Sequence, residues 1–454
     1  MGNHSKSITA VVDKPPLRLR WDLWEPLFRV FILTVGVLTL ALAIKEDLIF
    51  GWDTGPIAGS GIQPVRYILL VSSLIFAISV VFRTYLWFKY RTFDSARVET
   101  WPEVTVIIPA YNEGQTVYET VASVVENDYP AEKIQIILVD DGSSDDTHRY
   151  MTLAREHHSQ NVEILRFPVN RGKRVAIHEA YKVSRAPFII TIDSDTRLDP
   201  RAIKEILTPM LLNPHIGAAV GRIRVWNTDH NILTRMLNAH FAMAFDFTRA
   251  VQSTFQNVFC LAGAFSAYRK SVLDQIISRW LGQTFMKRSC TYGEDRSLTN
   301  HILRIGHGTY FQRSATAYTM VPTRLLKILK MFTRWARSNI RESIVFSQFL
   351  FAPNRKGQRL LPFIEFFSTY ALLVLHIIGF YWLLFSGVIS GDMIFRVLIY
   401  SILFGFFYSL YYLRIEGGRD FPYLLLFSLF SSVFMVWIFT VAGLTLSKRS
   451  WSTR

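Results

Sequence analysis

The chain carries little charge for its length. Of 454 residues only 19% are Asp, Glu, Lys or Arg, against about a quarter in soluble globular domains. Half are hydrophobic and 14% are aromatic. That balance excludes disorder, collagen and coiled coil, and suits a membrane protein with a sizeable soluble part. Cysteine is nearly absent. Cys260 and Cys290 alone exclude a disulfide scaffold and any Cys-rich zinc or iron–sulfur site. Acidic residues are scarce beside basic ones, 35 against 50, for a net charge of +15. No basic run is long enough for a nucleic-acid arm. The excess is therefore assigned to a cytoplasmic membrane face or an anionic substrate, and no nucleic-acid partner is expected.

Long apolar runs are confined to the two ends of the chain. Stretches 27–44 and 67–88 precede the middle, and 362–384, 393–413 and 421–444 follow it. Each approaches the roughly 20 residues of a spanning helix. Tyr408, Tyr411 and Tyr412 suit an interfacial aromatic belt. The first stretch is no cleaved signal, because it has no small-residue cleavage site and a second span follows. Lys14, Arg18 and Arg20 before the first stretch, and Arg83, Lys89 and Arg91 closing the second, put the tail and the middle in the cytoplasm. The loop 414–419 falls on the same side. Five spans would leave the C-terminus outside, yet Lys448, Arg449 and Arg454 favour the inside. Either one C-terminal stretch does not fully span, or these charges are too few to matter. Glu365 is read as an interfacial group, and His376 as hydrogen-bonded to a neighbouring helix.

Between the apolar ends, strand and helix patterns alternate. Short apolar strands are expected at 104–108, 134–139, 162–166 and 188–192, with helices at 145–158 and 173–183 between them. Val117, Val121, Val124 and Val125 share one face of a further helix. Near-continuous apolar strands separated by helices predict an α/β domain with a parallel sheet covered on both faces. Ligands bind such sheets beyond the carboxyl ends of the strands. Acidic clusters fall there: Asp140-Asp141-Gly142 after the second strand and Asp193-Ser194-Asp195 after the fourth. Two carboxylates two residues apart can share a divalent cation, which can bridge a diphosphate. Segments 232–248 and 325–346 have apolar residues at helical spacing. The second has a basic face of Lys327, Lys330, Arg337 and Arg341, as an interfacial helix would.

Six motifs occur in order: 106–113 (VIIPAYNE), 139–143 (VDDGS), 171–174 (RGKR), 193–196 (DSDT), 293–300 (GEDRSLTN) and 334–337 (RWAR). The series resembles the membrane-embedded family 2 glycosyltransferases, in particular hyaluronan synthases and nodulation chitooligosaccharide synthases, over residues 100–345. Segments 231–235 (NILTR), 283–285 (QTF), 298–303 (LTNHIL) and 341–344 (RESI) look like the hyaluronan synthases. Glu294 and the stretch 335–338 look more like the chitooligosaccharide synthases. Two departures stand out. Met331 replaces the family's usual Gln, and Ala262-Gly263-Ala264 stands where hyaluronan synthases have Ser-Gly-Pro.

The resemblance implies a GT-A (Rossmann-like) α/β glycosyltransferase domain inserted between transmembrane helices of a polytopic α-helical membrane protein. The expected parts are a cytoplasmic tail (1–26), two spans (27–92), the cytoplasmic catalytic domain (100–322), an amphipathic interface region (323–360), about three C-terminal spans (361–446) and a basic tail (447–454). It further implies UDP-sugar donors, a growing polysaccharide acceptor, the plasma (inner) membrane as location, and Mg²⁺ or Mn²⁺ as cofactor. Tyr111, Glu113, Asp140, Asp141 and Lys173 would line the uridine end, and Asp193 with Asp195 would hold the metal on the diphosphate. Asp295 would be the general base, with Glu294 raising its pKa by repulsion. Arg334 would offset charge on the leaving UDP, and Trp335 would stack on the acceptor sugar. The implied activity is a processive, inverting synthase of the hyaluronan type. A chitooligosaccharide synthase, a single-addition transferase and an inactive scaffold are the alternatives. Cys260 and Cys290 are read as packing residues.

Overall fold

The computed structural model describes residues 63–158, 161–355, 359–385, 391–416 and 420–447, together with Leu27, Val30, Phe31, Thr34, Val37, Leu38 and Ala41. The chain divides into two compact units, Met1–Gly51 and Trp52–Arg454. In the first, the seven described residues are all helical. The N-terminal tail, most of stretch 27–44, the loop 45–62 and the residues after 447 lie outside the described set.

The second unit opens with helix α1 (Gln63–Lys89). A sheet and its helices follow: β1 (Val104–Ala110), α2 (Thr116–Val125), β2 (Ile134–Asp140), α3 (Thr147–His158), β3 (Val162–Arg166), α4 (Lys173–Val183), β4 (Phe188–Ile192), β5 (Thr196–Leu198), α5 (Ala202–Leu212) and β6 (Ile216–Val225). Helix α6 (Ile232–Phe241) runs through a π-helical segment (Ala242–Phe247) into α7 (Thr248–Ser253). Then come β7 (Phe265–Arg269), α8 (Lys270–Leu273), α9 (Ile277–Leu281), a hairpin of β8 (Thr284–Phe285) and β9 (Arg288–Ser289), α10 (Glu294–Arg304) and β10 (Gly308–Thr319). The remaining long helices are α11 (Leu325–Ser347), α12 (Leu360–Phe385), α13 (Gly391–Glu416) and α14 (Tyr423–Leu444).

The sheet order is β3-β2-β1-β4-β7-β6-β10-β5. The first four strands are parallel, as their unbroken apolar runs predict. The sheet as a whole is mixed, which corrects the all-parallel expectation. Strand β7 is antiparallel to β4 and β6, and β5 is antiparallel to β10. The cause is where the chain enters. Ile192 at the carboxyl end of β4 faces Phe265 at the start of β7, so 262–264 lie at the ligand end and the strand that follows must run away from it. Nothing in FSAYR announces this direction.

Local chemistry explains most elements. Helix α2 buries Val117, Thr120, Val121 and Val124, a stripe at i, i+3, i+4 and i+7, with Thr120 taking a place expected for Val125. Asn231 opens α6 with a capping box: its side chain accepts from Thr234 N (3.0 Å), and its own amide donates to Thr234 Oγ1 (3.1 Å). Helix α11 differs from the expected amphipathic pattern. Lys327 and Lys330 are exposed, but Arg337 and Arg341 are buried, because they donate to Thr445 Oγ1 and to Glu342 and the Tyr292 carbonyl.

Among the described residues, two helices are long and apolar enough to cross a membrane, Leu360–Trp382 and Tyr423–Leu444. Glu365 is fully buried, paired with Arg83 Nε of α1 at 2.9 Å and reached by Gln252 Nε2 of α7 at 3.4 Å, and so ties α12 to α1 and to α7. His376 lies on an exposed part of α12.

Candidate active site

The carboxyl ends of β1, β2 and β4 bring the sequence motifs to one edge of the sheet. Asp193 leaves β4 and meets the Lys173 ammonium at the start of α4, in a direct ion pair. The same ammonium lies 3.3 Å from Glu294 Oε1 at the first turn of α10. Gly263 closes the group, since a Cβ added there would lie 2.7 Å from Lys173 Nζ and 3.8 Å from both Asp193 Oδ1 and Glu294 Oε1. Neither Lys173 nor Arg174 is a solvated helix start. Lys173 is 13% exposed, and Arg174 is buried, donating to the Trp280 carbonyl at 2.8 Å. Burial alone would lower the Lys173 pKa, but Asp193 and Glu294 outweigh it and hold the ammonium well above its ordinary value.

Glu294 and Asp295 are neighbours driven in opposite directions. Burial raises Asp295, and the adjacent Glu294 charge raises it further. Burial acts on Glu294 too, but Lys173, a backbone amide and Arg334 outweigh it and keep this carboxyl below its usual range. Two carboxyls set apart in this way are what acid–base chemistry needs. Asp295 Oδ1 accepts from Arg296 N at 2.7 Å, and Oδ2 lies 3.7 Å from Cys260 Sγ. Burial, then Asp295, pushes the Cys260 thiol up to about 12, which keeps it protonated. The pair is presented by Gly293, whose φ of 71° suits glycine and whose missing Cβ leaves room for Ser338 Oγ.

Beside this group, at the carboxyl ends of β1 and β2, two loops are tied together. Asp141 accepts from the amides of Arg171 (2.7 Å) and Gly172 (2.9 Å), so it shapes the turn that delivers Lys173. Its own pKa is raised, chiefly by burial. Asp140 accepts from Ser143 N at 2.8 Å, with Arg166 Nε at 3.4 Å from its other oxygen. The Glu113 amide donates to Thr147 Oγ1 at 2.8 Å. Tyr111 is 41% exposed at the edge of this face.

Asp193 and Asp195 flank the turn between β4 and β5. Asp195 Oδ1 accepts from Thr319 Oγ1 of β10 at 3.3 Å. Among the described residues no group of three His, Cys, Asp or Glu could hold a metal ion. Two carboxylates at one turn still fit a magnesium-type cation, whose remaining positions substrate phosphates and water can fill. On α11, Arg334 acts on Glu294 through its charge. Trp335 is half-buried beside Phe332, Phe241 and Phe245, with ring centroids 5.6, 5.9 and 6.3 Å away.

Sequence reasoning missed the supports behind these groups. Fully buried Glu342 accepts from Arg341 Nε (2.8 Å), Asn300 Nδ2 (3.0 Å) and Gln283 Nε2 (3.2 Å), and so fastens α10 to α11. Arg296, next to Asp295, donates to Ser343 Oγ (2.8 Å) and to Tyr370 Oη of α12 (2.9 Å). The polar residues of QTF, LTNHIL and RESI were the available signal, but their meeting is a long-range event.

Comparison with known proteins agrees with this geometry. The model of the family described as "Glycosyl transferase family 2" matches residues 105–277. An N-acetylglucosaminyltransferase of Azorhizobium caulinodans is 33% identical over 243 residues, 53% of this chain and 61% of that protein. A hyaluronan synthase of Streptococcus pyogenes is 32% identical over 329 residues, 70% of this chain and 73% of that one. In fold, the chain resembles a mannosyltransferase from Pyrobaculum calidifontis in complex with GDP-Man and Mn²⁺, with a TM-score of 0.58 and 17% identity over 82% of this chain and 99% of that one. The chain, with its GT-A-like mixed sheet, therefore belongs to the family 2 glycosyltransferases and is a nucleotide-sugar-dependent transferase.

Proposed function

We propose that this protein is a processive, inverting β-glycosyltransferase of the plasma (inner) membrane. It polymerises UDP-sugars, UDP-GlcNAc among them, at the cytoplasmic face and passes the polysaccharide out through its own helices. The observation that carries the reading is the opposed pair Glu294 and Asp295 beside Lys173 and Asp193.

Asp295 takes the proton from the acceptor hydroxyl as that oxygen attacks the anomeric carbon. Burial, and then ionised Glu294, raises its pKa, which improves it as a base near neutral pH. The anomeric carbon–phosphate oxygen bond breaks with inversion, and no sugar–enzyme intermediate forms. Lys173 and Arg334 offset the charge that develops on UDP. Tyr111, Glu113, Asp140 and Asp141 hold the uridine end, Asp141 through the loop it ties down. Asp193 and Asp195 would hold Mg²⁺ or Mn²⁺, which supplies charge neutralisation at the diphosphate when bound. Trp335 stacks on the acceptor sugar.

A chitooligosaccharide synthase is the second reading. It is favoured by an N-acetylglucosaminyltransferase relative as similar as the hyaluronan synthase, 33% against 32% identical. UDP release and product length, measured with UDP-GlcNAc alone, UDP-GlcA alone and both, separate the two. Polymer only with both donors supports the hyaluronan type, and product from UDP-GlcNAc alone supports the other. One sugar added per acceptor would remove processivity, and no turnover with folded protein would sink the synthase reading.

A further inference from the structure

Lys173 and the carboxyl pair Glu294 and Asp295 come from distant parts of the chain, yet both stand at helix starts. Lys173 is the first residue of α4, and Glu294 is the first residue of α10. Their meeting needs the two starts held at one separation. The ion pair cannot set that separation alone, because a lysine reaches its partner through a flexible four-carbon stem.

The two starts share a neighbour. Trp280 of α9 heads the fully buried side chains in size. Its indole Nε1 donates to the Glu294 carbonyl at 3.0 Å. Its own carbonyl accepts from Arg174 Nη1 at 2.8 Å, and the same guanidinium lies over its ring, 5.1 Å from the centroid. Arg174 directly follows Lys173. One residue therefore grips the backbone of the carboxyl pair on one side and the neighbour of the ammonium on the other. Gln283, the Gln of the QTF segment, repeats the linkage just beyond α9. Its Oε1 accepts from Arg174 Nη1 and Nη2, at 3.3 and 3.4 Å, and from Ser297 Oγ of α10. Glu342 and Arg296 fasten α10 to α11, whereas Trp280 and Gln283 fasten it to α4.

A buried Trp can be filler, and its N–H then needs only some acceptor. Filler is best served by apolar neighbours. Here the ring face is given to a guanidinium that is itself buried, an expensive choice for packing alone, and the N–H is given to the residue that carries a site carboxylate.

We propose that Trp280 is a positioning residue for sugar transfer: through Arg174 and the Glu294 carbonyl it sets the separation between Lys173, on the leaving-group side, and Asp295, on the acceptor side. It acts through these groups and on neither substrate directly. The proposal rests on the roles proposed above for Lys173 and Asp295. Those groups serve opposite sides of one anomeric carbon, where a misplacement of about 1 Å can cost about 10²-fold in rate.

The test follows UDP release by the purified full chain supplied with UDP-GlcNAc and UDP-GlcA, with thermal midpoints of the same samples. Trp280→Phe keeps a ring for Arg174 and removes the N–H. Arg174→Lys keeps the charge and removes the planar fork that stacks and donates. Each is expected to lower kcat by about 10–100-fold while KM for the donor stays within a few-fold. Both break one linkage in series, so the double variant should lose little more than the worse single variant. Losses that multiply would show two independent effects and overturn the proposal. A lowered midpoint with wild-type kcat per folded molecule would make Trp280 filler and overturn it as well. If Trp280→Phe does not fold, Arg174→Lys decides alone, and wild-type kcat in that variant overturns the proposal. Folded wild-type protein that releases UDP from neither donor overturns the synthase reading and the proposal together, whereas an active wild type with unimpaired variants overturns the proposal only.

Discussion

Gly263 stands where any larger residue would meet Lys173: a Cβ at this position would lie 2.7 Å from the Lys173 ammonium. The obstacle is the far end of a flexible side chain, so Gly263→Ala should fold and push Lys173 away from Asp193 and Glu294. The expected result is a thermal midpoint close to wild type and at least a tenfold loss of kcat/KM, about 1.4 kcal/mol of transition-state stabilisation. Full activity would show that the Lys173 position is not needed.

Asp295→Asn removes the proposed base and keeps the shape. Sugar transfer should fall by about 10²–10⁴-fold while UDP binding, followed by calorimetry, stays within a few-fold. Retained transfer would refute the assignment of Asp295 as base.

The pH profile tests the opposed carboxyls. As the proposed base, Asp295 would work only when ionised, and its pKa is raised by burial and then by Glu294. Activity should therefore be lost, as pH falls, at a value above the ordinary 3.8. Glu294→Gln removes the like charge, so the acid limb of kcat should move to lower pH even though the rate itself drops. A limb that stays in place would mean that burial alone sets it.

Asp141→Ala leaves the Arg171 and Gly172 amides without the carboxylate that binds them. A cost of about 1–3 kcal/mol, together with weaker UDP binding, is expected from unfolding and titration of the same sample. Stability loss with unchanged UDP affinity would limit Asp141 to folding.

Glu342→Ala strands buried Arg341 and removes the acceptor of Asn300 and Gln283. Breaking a buried ion pair from one side costs about 3–5 kcal/mol, so the detergent-solubilised protein should melt markedly lower. Glu342→Gln should recover part of the loss, because an amide still accepts hydrogen bonds.

Much of this protein is determined locally. The runs VTVII, IQIILV and FIITI are β-rich and apolar on both faces, and they became adjacent parallel strands. The acidic residues after them fell at the carboxyl ends because a strand's direction carries its C-terminal residue to a known edge. Among the described residues, the long apolar stretches after residue 62 became long helices for the same reason of composition. What the tertiary structure decided depends on partners distant in the chain. FSAYR became an antiparallel strand because its entry point lies beside Asp193. Arg337 and Arg341, which sequence spacing puts on a solvated face, are buried because Thr445 and Glu342 meet them. The 421–444 stretch has the hydropathy of a span, but hydropathy is a property of the segment alone. The partners at its two ends, Asn238 on Asp420, Arg337 on Thr445 and Tyr292 on the Leu446 carbonyl, come from distant parts of the chain, and no local pattern reveals them.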